Sequence, residues 1–177
     1  MELKKKGQEA NVGGFKQLMV SMKWTTAADF DLAAVYEDKK GKEGIIYFGD
    51  LGDLNNFPYM QLSGDEGVGD KGGENEETLR ITKLDDMKYV WIMCWDYGKV
   101  QDGSAARFKD SDVNLSVVDD KGSTHNVKLD TGDFGNVAII ATIDNSTPIG
   151  SKLVNLSKAG TLKGLTNLQQ LIDIIKN

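Results

Sequence analysis

Short segments in which apolar and polar residues alternate run through most of this chain, and they constrain its fold more than any other feature. Val113, Leu115 and Val117, for example, alternate with Asn114 and Ser116. Successive side chains of a β-strand point to opposite faces of a sheet, so this alternation predicts strands with one buried face. Comparable alternation occurs at residues 18–22, 32–36, 79–82 and 127–129, and shorter apolar segments at 45–48 and 153–156 are also expected to be strands.

Two further segments are apolar on both faces. Residues 89–95 and 137–143 contain almost no polar side chain, which is typical of central strands that are covered on both sides. Cys94 lies in the first of them and is expected to be a buried core residue with a raised pKa, not a nucleophile. The 20 glycines and 19 aspartates supply turns between the strands. The pattern predicts an all-β fold, an antiparallel sandwich or barrel.

The last residues change to a helical period. Leu165, Leu168, Leu171, Ile172 and Ile175 fall on one stripe of a helix. Thr166 and Gln169 have the spacing of a capping box, so we expect one C-terminal amphipathic helix over about residues 166–176. Its apolar stripe needs a cover, either its own domain or a partner chain, and the first is the simpler expectation.

Length, charge and composition limit the function classes. With 177 residues, the chain is expected to form a single domain, 1–177. A net charge of −6 repels phosphate backbones and argues against nucleic-acid binding. The single cysteine excludes an intrachain disulfide. With one cysteine and one histidine, His125, the chain also cannot form a metal site from several cysteines or several histidines. Without a signal peptide or a long apolar stretch, we expect a cytoplasmic protein with no integral membrane segment.

Residues 64–77 combine five glycines with six acidic residues, opposed by Lys71 alone. Carboxylates this close repel one another in a compact loop, so the loop is either open and solvated or holds a cation. Ca²⁺ takes oxygen ligands in loose geometry, and glycines let backbone carbonyls turn toward an ion. Asp29 and Asp31 form a second acidic pair at the start of a predicted strand. If these two acidic clusters lie close together in the fold, they favour a metal site more strongly than either cluster does alone.

Other motifs fit the acidic segment poorly. Residues 67–72 match G-x-G-x-x-G, but the surrounding carboxylates would repel a pyrophosphate. The P-loop spacing from Gly64 to Gly69 is not followed by Lys and Ser or Thr. An EF-hand over residues 65–76 would need oxygen-bearing side chains where Gly67 and Gly69 stand, and flanking helices.

Several of these features together resemble the TerD type of bacterial tellurium-resistance stress proteins, over most of the chain. The matching features are Trp24 after the first strand, Asp29-Phe30-Asp31 at a strand start, the loop from Gly64-Asp65 to Glu76, and the acidic strand end at Asp96. Residues 57–62 and 74–76 look more like the TerA branch of the family. Gly67-Val68 and Asn75 depart from the family, because many relatives have consecutive acidic residues there.

The resemblance implies a β-sandwich of two sheets that binds one or two Ca²⁺ ions and serves in resistance to tellurite and other stresses, with no established catalysis. It implies a Ca²⁺-dependent scaffold or binding module, whose expected partners are the metal ion and stress-system proteins of the same family. The metal ligands that follow from it are Asp29, Asp31, Gly64, Asp65, Gly69, Asp70, Glu74, Glu76 and, marginally, Asp96.

Two alternatives stay open at the level of sequence. One is a metal-dependent hydrolase acting on phosphate esters, which would need a base or a cationic clamp near the metal. No arginine lies near the acidic segment before Arg80, which weighs against it. The other is a plain scaffold whose helix binds a partner while the acidic loop is inert.

Overall fold

The computed structural model describes residues 1–13, 15–25, 30–63, 75–108 and 112–176. These residues form two large sheets, a two-stranded ribbon and two helices. The helices are α1 (Tyr97–Asp102) and α2 (Leu168–Lys176). The strands are β1 (Glu2–Leu3), β2 (Glu9–Val12), β3 (Leu18–Trp24), β4 (Phe30–Asp38), β5 (Glu43–Ile46), β6 (Gly52–Asp53), β7 (Met60–Leu62), β8 (Asn75–Ile81), β9 (Met87–Asp96), β10 (Ala106–Arg107), β11 (Asn114–Asp119), β12 (Thr124–Lys128), β13 (Phe134–Gly135), β14 (Val137–Asp144) and β15 (Ser151–Gly160).

The two large sheets form the predicted antiparallel sandwich. One has seven strands in the order β1-β12-β11-β3-β8-β7-β6, and the other has six in the order β2-β15-β14-β9-β4-β5. Neighbouring strands are antiparallel except β1 and β12, which run parallel. The apolar runs at 89–95 and 137–143 are the adjacent central strands β9 and β14, as their composition predicts. The turn at 119–122 joins β11 to β12, with Gly122 at a φ of 88°.

The six-stranded sheet buries both of its faces, which explains its apolar central strands. Its inner face, with Ile92 and Cys94, packs against the seven-stranded sheet in the main core. Its outer face, with Trp91, Met93 and Trp95, packs against buried residues of α2. Trp91 and Trp95 are therefore packing residues. The apolar stripe of the C-terminal helix covers its own domain, and the simpler of the two expectations is confirmed.

The helix begins two residues later than predicted, and its capping box is shifted by one residue from Thr166 and Gln169. Asn167 Oδ1 accepts a hydrogen bond from Gln170 N at 3.1 Å, and Gln170 Oε1 accepts one from Asn167 N at 3.1 Å. This reciprocal pair is a capping box with Asn167 as the N-cap. Gln170 Oε1 also accepts a hydrogen bond from Thr166 N at 2.7 Å, which leaves Thr166 outside the helix.

Part of the segment from 51 to 77, whose sequence has little strand character, forms β6, β7 and the first residues of β8. Met60 and Leu62 alternate with exposed Gln61 in β7, a signal too short to distinguish from a loop. The start of β8 is polar in sequence but pairs with β3, where Lys23 lies opposite Glu76. Cross-strand pairing of opposite charges stabilises a strand that its composition does not predict. Among the described residues, neither helix has the length and apolar character needed to cross a membrane.

Candidate functional site

Three buried carboxylates gather at one end of the sandwich, which we call the acidic end: Asp31, Glu77 and Asp96. Asp31 is the second residue of β4, and Asp96 is the last residue of β9. The two strands are antiparallel neighbours, with Phe30 opposite Asp96 and Asp31 opposite Trp95. Glu77 is the third residue of β8 in the other sheet. The acidic end therefore draws its carboxylates from both sheets, next in sequence to the acidic segments that precede β4 and β8.

Each of these carboxylates is removed from solvent. Asp31 and Glu77 are 6% exposed, and Asp96 is 9% exposed. Glu77 Oε2 accepts a hydrogen bond from Leu32 N at 3.0 Å, so it joins β8 to β4 across the two sheets. Asp96 is the N-cap of α1, and its Oδ1 accepts a hydrogen bond from Lys99 N at 3.2 Å. Burying a carboxylate is costly unless hydrogen bonds, an opposite charge or a metal ion compensate for the lost hydration.

The thiol of Cys94 lies within the electrostatic field of all three carboxylates. Its pKa is raised well above the ordinary value, first by complete burial and then by the negative charges of Glu77, Asp31 and Asp96. Cys94 is opposite Leu32 in the β4–β9 pair, on the inner face of the six-stranded sheet. The thiol is thus an inert core group, as the sequence predicts.

The structure describes three of the nine residues expected to bind metal. Asp31 and Asp96 lie buried at the acidic end, whereas Glu76 is exposed, on the opposite face of β8 from Glu77. Within the described ranges, no group of three or more His, Cys, Asp or Glu side chains is placed closely enough to hold a metal ion. The other six expected ligands lie outside the described residues: Asp29, Gly64, Asp65, Gly69, Asp70 and Glu74.

Glu77 is the residue that sequence reasoning did not select. The signal for it was present, because Glu77 shares its face of β8 with Leu79 and Ile81, which point into the core. A carboxylate at the buried end of an otherwise apolar stripe needs a partner, whereas an acidic residue on the solvent face does not. The period of two thus distinguishes Glu77 from its neighbour Glu76.

The fold is similar to that of two solved structures. One is a protein of unknown function, SAV2460, with a TM-score of 0.55 and 13% identity, covering 83% of this chain and 93% of the other. The second is SCO6318 from Streptomyces coelicolor A3(2), described as a homologue of telluride resistance protein (TerD), with a TM-score of 0.53 and 14% identity. It covers 89% of this chain and 95% of the other. No family model matches the chain. No curated protein matches it either.

Proposed function

We propose that this protein, whose fold is similar to that of a TerD homologue, is a cytoplasmic, Ca²⁺-binding module that acts without catalysis in the response to tellurite and related chemical stress. The observation that carries the proposal is the burial of Asp31, Glu77 and Asp96 together at the acidic end of the sandwich.

The donor set fits a hard cation. All three groups are carboxylates, and oxygen ligands favour Ca²⁺ or Mg²⁺ over metals that prefer nitrogen or sulfur. A bound divalent ion supplies positive charge that offsets the cost of burying these groups. Glu77 would bind the ion from the inner side of the sheets, Asp31 would contribute its charge from the outer face of β4, and residues 64–74 would complete the shell. Ca²⁺ is preferred to Mg²⁺ because mixed carboxylate and carbonyl ligands suit its larger and looser shell.

Asp96 has two separable roles under this proposal. Its carboxylate caps α1, and its charge contributes to the acidic end. Asparagine is as good an N-cap as aspartate, so Asp96→Asn keeps the cap and removes the charge. We expect Asp96→Asn to weaken Ca²⁺ binding while the melting temperature without Ca²⁺ stays close to that of the wild type.

Calorimetric titration of the full chain with Ca²⁺ and Mg²⁺ tests the proposal. We expect saturable Ca²⁺ binding that is tighter than Mg²⁺ binding. Glu77→Gln should weaken it at least tenfold, because the amide keeps an oxygen acceptor for Leu32 N but removes one negative charge from the ion's shell. Asp31→Asn should behave in the same way.

Asp85→Asn is the matched control, because Asp85 is an exposed aspartate outside the acidic end. It removes the same charge from the whole protein and should leave Ca²⁺ affinity unchanged. If Asp85→Asn weakens binding as much as Glu77→Gln, the ion responds only to net charge and the proposed site is wrong. If neither metal binds the wild type, the Ca²⁺ proposal fails.

The role in stress is tested separately in cells. Expression of the wild type in a tellurite-sensitive bacterium should raise the tolerated tellurite concentration, and Glu77→Gln should lose that protection. The hydrolase alternative predicts instead that the purified protein cleaves a phosphate ester when loaded with Mg²⁺ or Mn²⁺. The nearest arginine in sequence, Arg80, is exposed on β8, so it does not supply a cationic clamp beside the buried carboxylates. We therefore expect no such cleavage.

A further inference from the structure

A cavity of about 310 Å³ lies on the outer side of the six-stranded sheet, between the end of β5, the start of α1 and the first turn of α2. Four aromatic side chains line it: Trp95, Tyr47, Phe48 and Tyr97. We call it the aromatic cavity. Its volume is at the lower end of the range that small-molecule sites occupy. None of the described residues that line it carries a charge.

The four rings form a connected series around the cavity. The ring centroids of Trp95 and Tyr47 are 6.5 Å apart, those of Tyr47 and Phe48 are 5.2 Å apart, and those of Phe48 and Tyr97 are 5.6 Å apart. The planes of successive rings meet at 58°, 67° and 89°. Rings at such angles do not stack flat on one another. They supply walls of different orientation, as in aromatic sites that enclose a cation.

The rings differ in exposure in the way that a site open to solvent requires. Trp95 is fully buried at the base, whereas Phe48 is 47% exposed and Tyr97 is 43% exposed. These two exposed rings contact each other edge to face. Covering large exposed aromatic rings with a ligand removes apolar surface from water, which favours binding.

One negatively charged side chain lies beside Trp95 at the base of the cavity. Asp31 lies directly opposite Trp95 in the β4–β9 pair, and directly opposed residues place their side chains on the same face of a sheet. Asp31 therefore lies on the cavity side of the sheet, beside Trp95. The first turn of α2 also borders the cavity, but the backbone N–H groups of Asn167 and Gln170 are hydrogen-bonded within the capping box. Negative ring faces and a neighbouring carboxylate disfavour an anionic ligand.

We propose that the aromatic cavity binds a small organic cation of the quaternary ammonium class. Such a cation carries a diffuse charge on an apolar surface, so the ring faces attract the charge and also cover the methyl groups. A strongly hydrated metal ion does not suit a cavity without carboxylate ligands among its described lining residues. The cavity is thus distinct in chemistry from the acidic end, although Asp31 lies beside Trp95 in the β4–β9 pair.

The test compares choline with its neutral isostere 3,3-dimethylbutan-1-ol, in which carbon replaces the quaternary nitrogen. Both ligands are titrated into the full chain in the presence of a chelator, so that Ca²⁺ does not affect the result. Binding is followed by calorimetry and by tryptophan fluorescence, since Trp95 lines the cavity. We expect saturable choline binding at millimolar concentration and at least about fivefold weaker binding of the isostere.

Tyr97→Leu and Phe48→Leu each remove one exposed ring and should weaken choline binding about fivefold, with little change in melting temperature. Phe134→Leu is the matched control, because Phe134 is 61% exposed and lies outside the cavity lining. It should bind choline as the wild type does.

Three results would overturn the proposal: no choline binding at millimolar concentration, equal binding of the neutral isostere, or equal loss in the Phe134→Leu control. A peptide carrying trimethyllysine serves as a further probe. If it binds more tightly than choline, the ligand is a protein side chain and the assignment to a small molecule is wrong. Because these titrations contain no Ca²⁺, their failure leaves the Ca²⁺ proposal standing, and the reverse also holds.

Discussion

The substitution Leu171→Ala tests whether α2 is an integral part of the domain. Leu171 is fully buried, and it packs with Ile172 and Ile175 against the outer face of the six-stranded sheet. Truncating a fully buried leucine removes its apolar contacts and leaves a cavity, at a cost of about 2–5 kcal/mol. For a chain of 177 residues, a loss of about 3 kcal/mol lowers the melting temperature by roughly 6–12 °C.

Urea unfolding followed by circular dichroism measures this loss directly. Leu51→Ala is the control, because Leu51 is 38% exposed and should change the free energy of unfolding by about 0.5 kcal/mol or less. Ile175→Val removes only one methylene from the same interface and should cost about 0.5–1.5 kcal/mol. If Leu171→Ala is no more destabilising than Leu51→Ala, α2 does not pack on the sheet, and its apolar face serves another purpose.

Three further predictions concern the single side chains of His125, Cys94 and Asn136. Burial, followed by the positive charge of the N-terminus, lowers the pKa of His125 below 6.5, with Asp119 opposing. The unfolded chain then binds more protons at acidic pH than the folded chain does, so stability should fall as the pH drops below about 6.5. The variant His125→Gln should show a shallower fall in melting temperature between about pH 7 and 5.5. Cys94 should be inert to a thiol reagent in the native protein and react at once in urea; rapid native labelling would show that the core opens there. Asn136→Ala should destabilise by about 2–4 kcal/mol in urea, because the side chain of Asn136 bonds to the backbone of Ser104 and Leu162 in the interior; a loss below about 1 kcal/mol would show that these bonds are dispensable.

The sandwich could be predicted from the sequence because its strands bury one or both faces. Strands with one buried face show alternating apolar and polar residues, and strands with two buried faces are continuously apolar. β9 and β14 are the clearest cases, since the outer face that α2 covers is as apolar as the inner one. The start of β8 could not be predicted in this way. It is a strand because Lys23 and Trp24 of β3 lie opposite it, and that pairing is a long-range property of the fold.

Helix α1 was missed for a different reason. It has clear end signals, with Asp96 as the N-cap and Gly103 in the left-handed conformation after it. Its six residues, however, contain one buried side chain, Val100, so no apolar period marks it. A short helix stabilised by its caps and by neighbouring segments leaves little trace in the hydrophobic pattern.

The candidate site was predictable in part. Asp31 could be proposed from the acidic pair at a strand start and Asp96 only from the family resemblance, and both are buried at the acidic end. Predicting Glu77 as a site residue required the orientation of β8, which the sequence shows only when residues 77, 79 and 81 are considered together. The aromatic cavity could not be predicted, because it brings together residues that follow β5, begin α1 and precede α2.

The most direct test of the account is the melting temperature of the full chain with excess Ca²⁺ and with a chelator. If Ca²⁺ binds the folded state at the acidic end, a hundredfold excess over the dissociation constant stabilises the protein by about 2.7 kcal/mol. For a chain of this length, the melting temperature should then rise by roughly 5–10 °C, and the rise should be much smaller in Glu77→Gln. A melting temperature that is the same in Ca²⁺ and in chelator would contradict the claim that the buried carboxylates form a metal site.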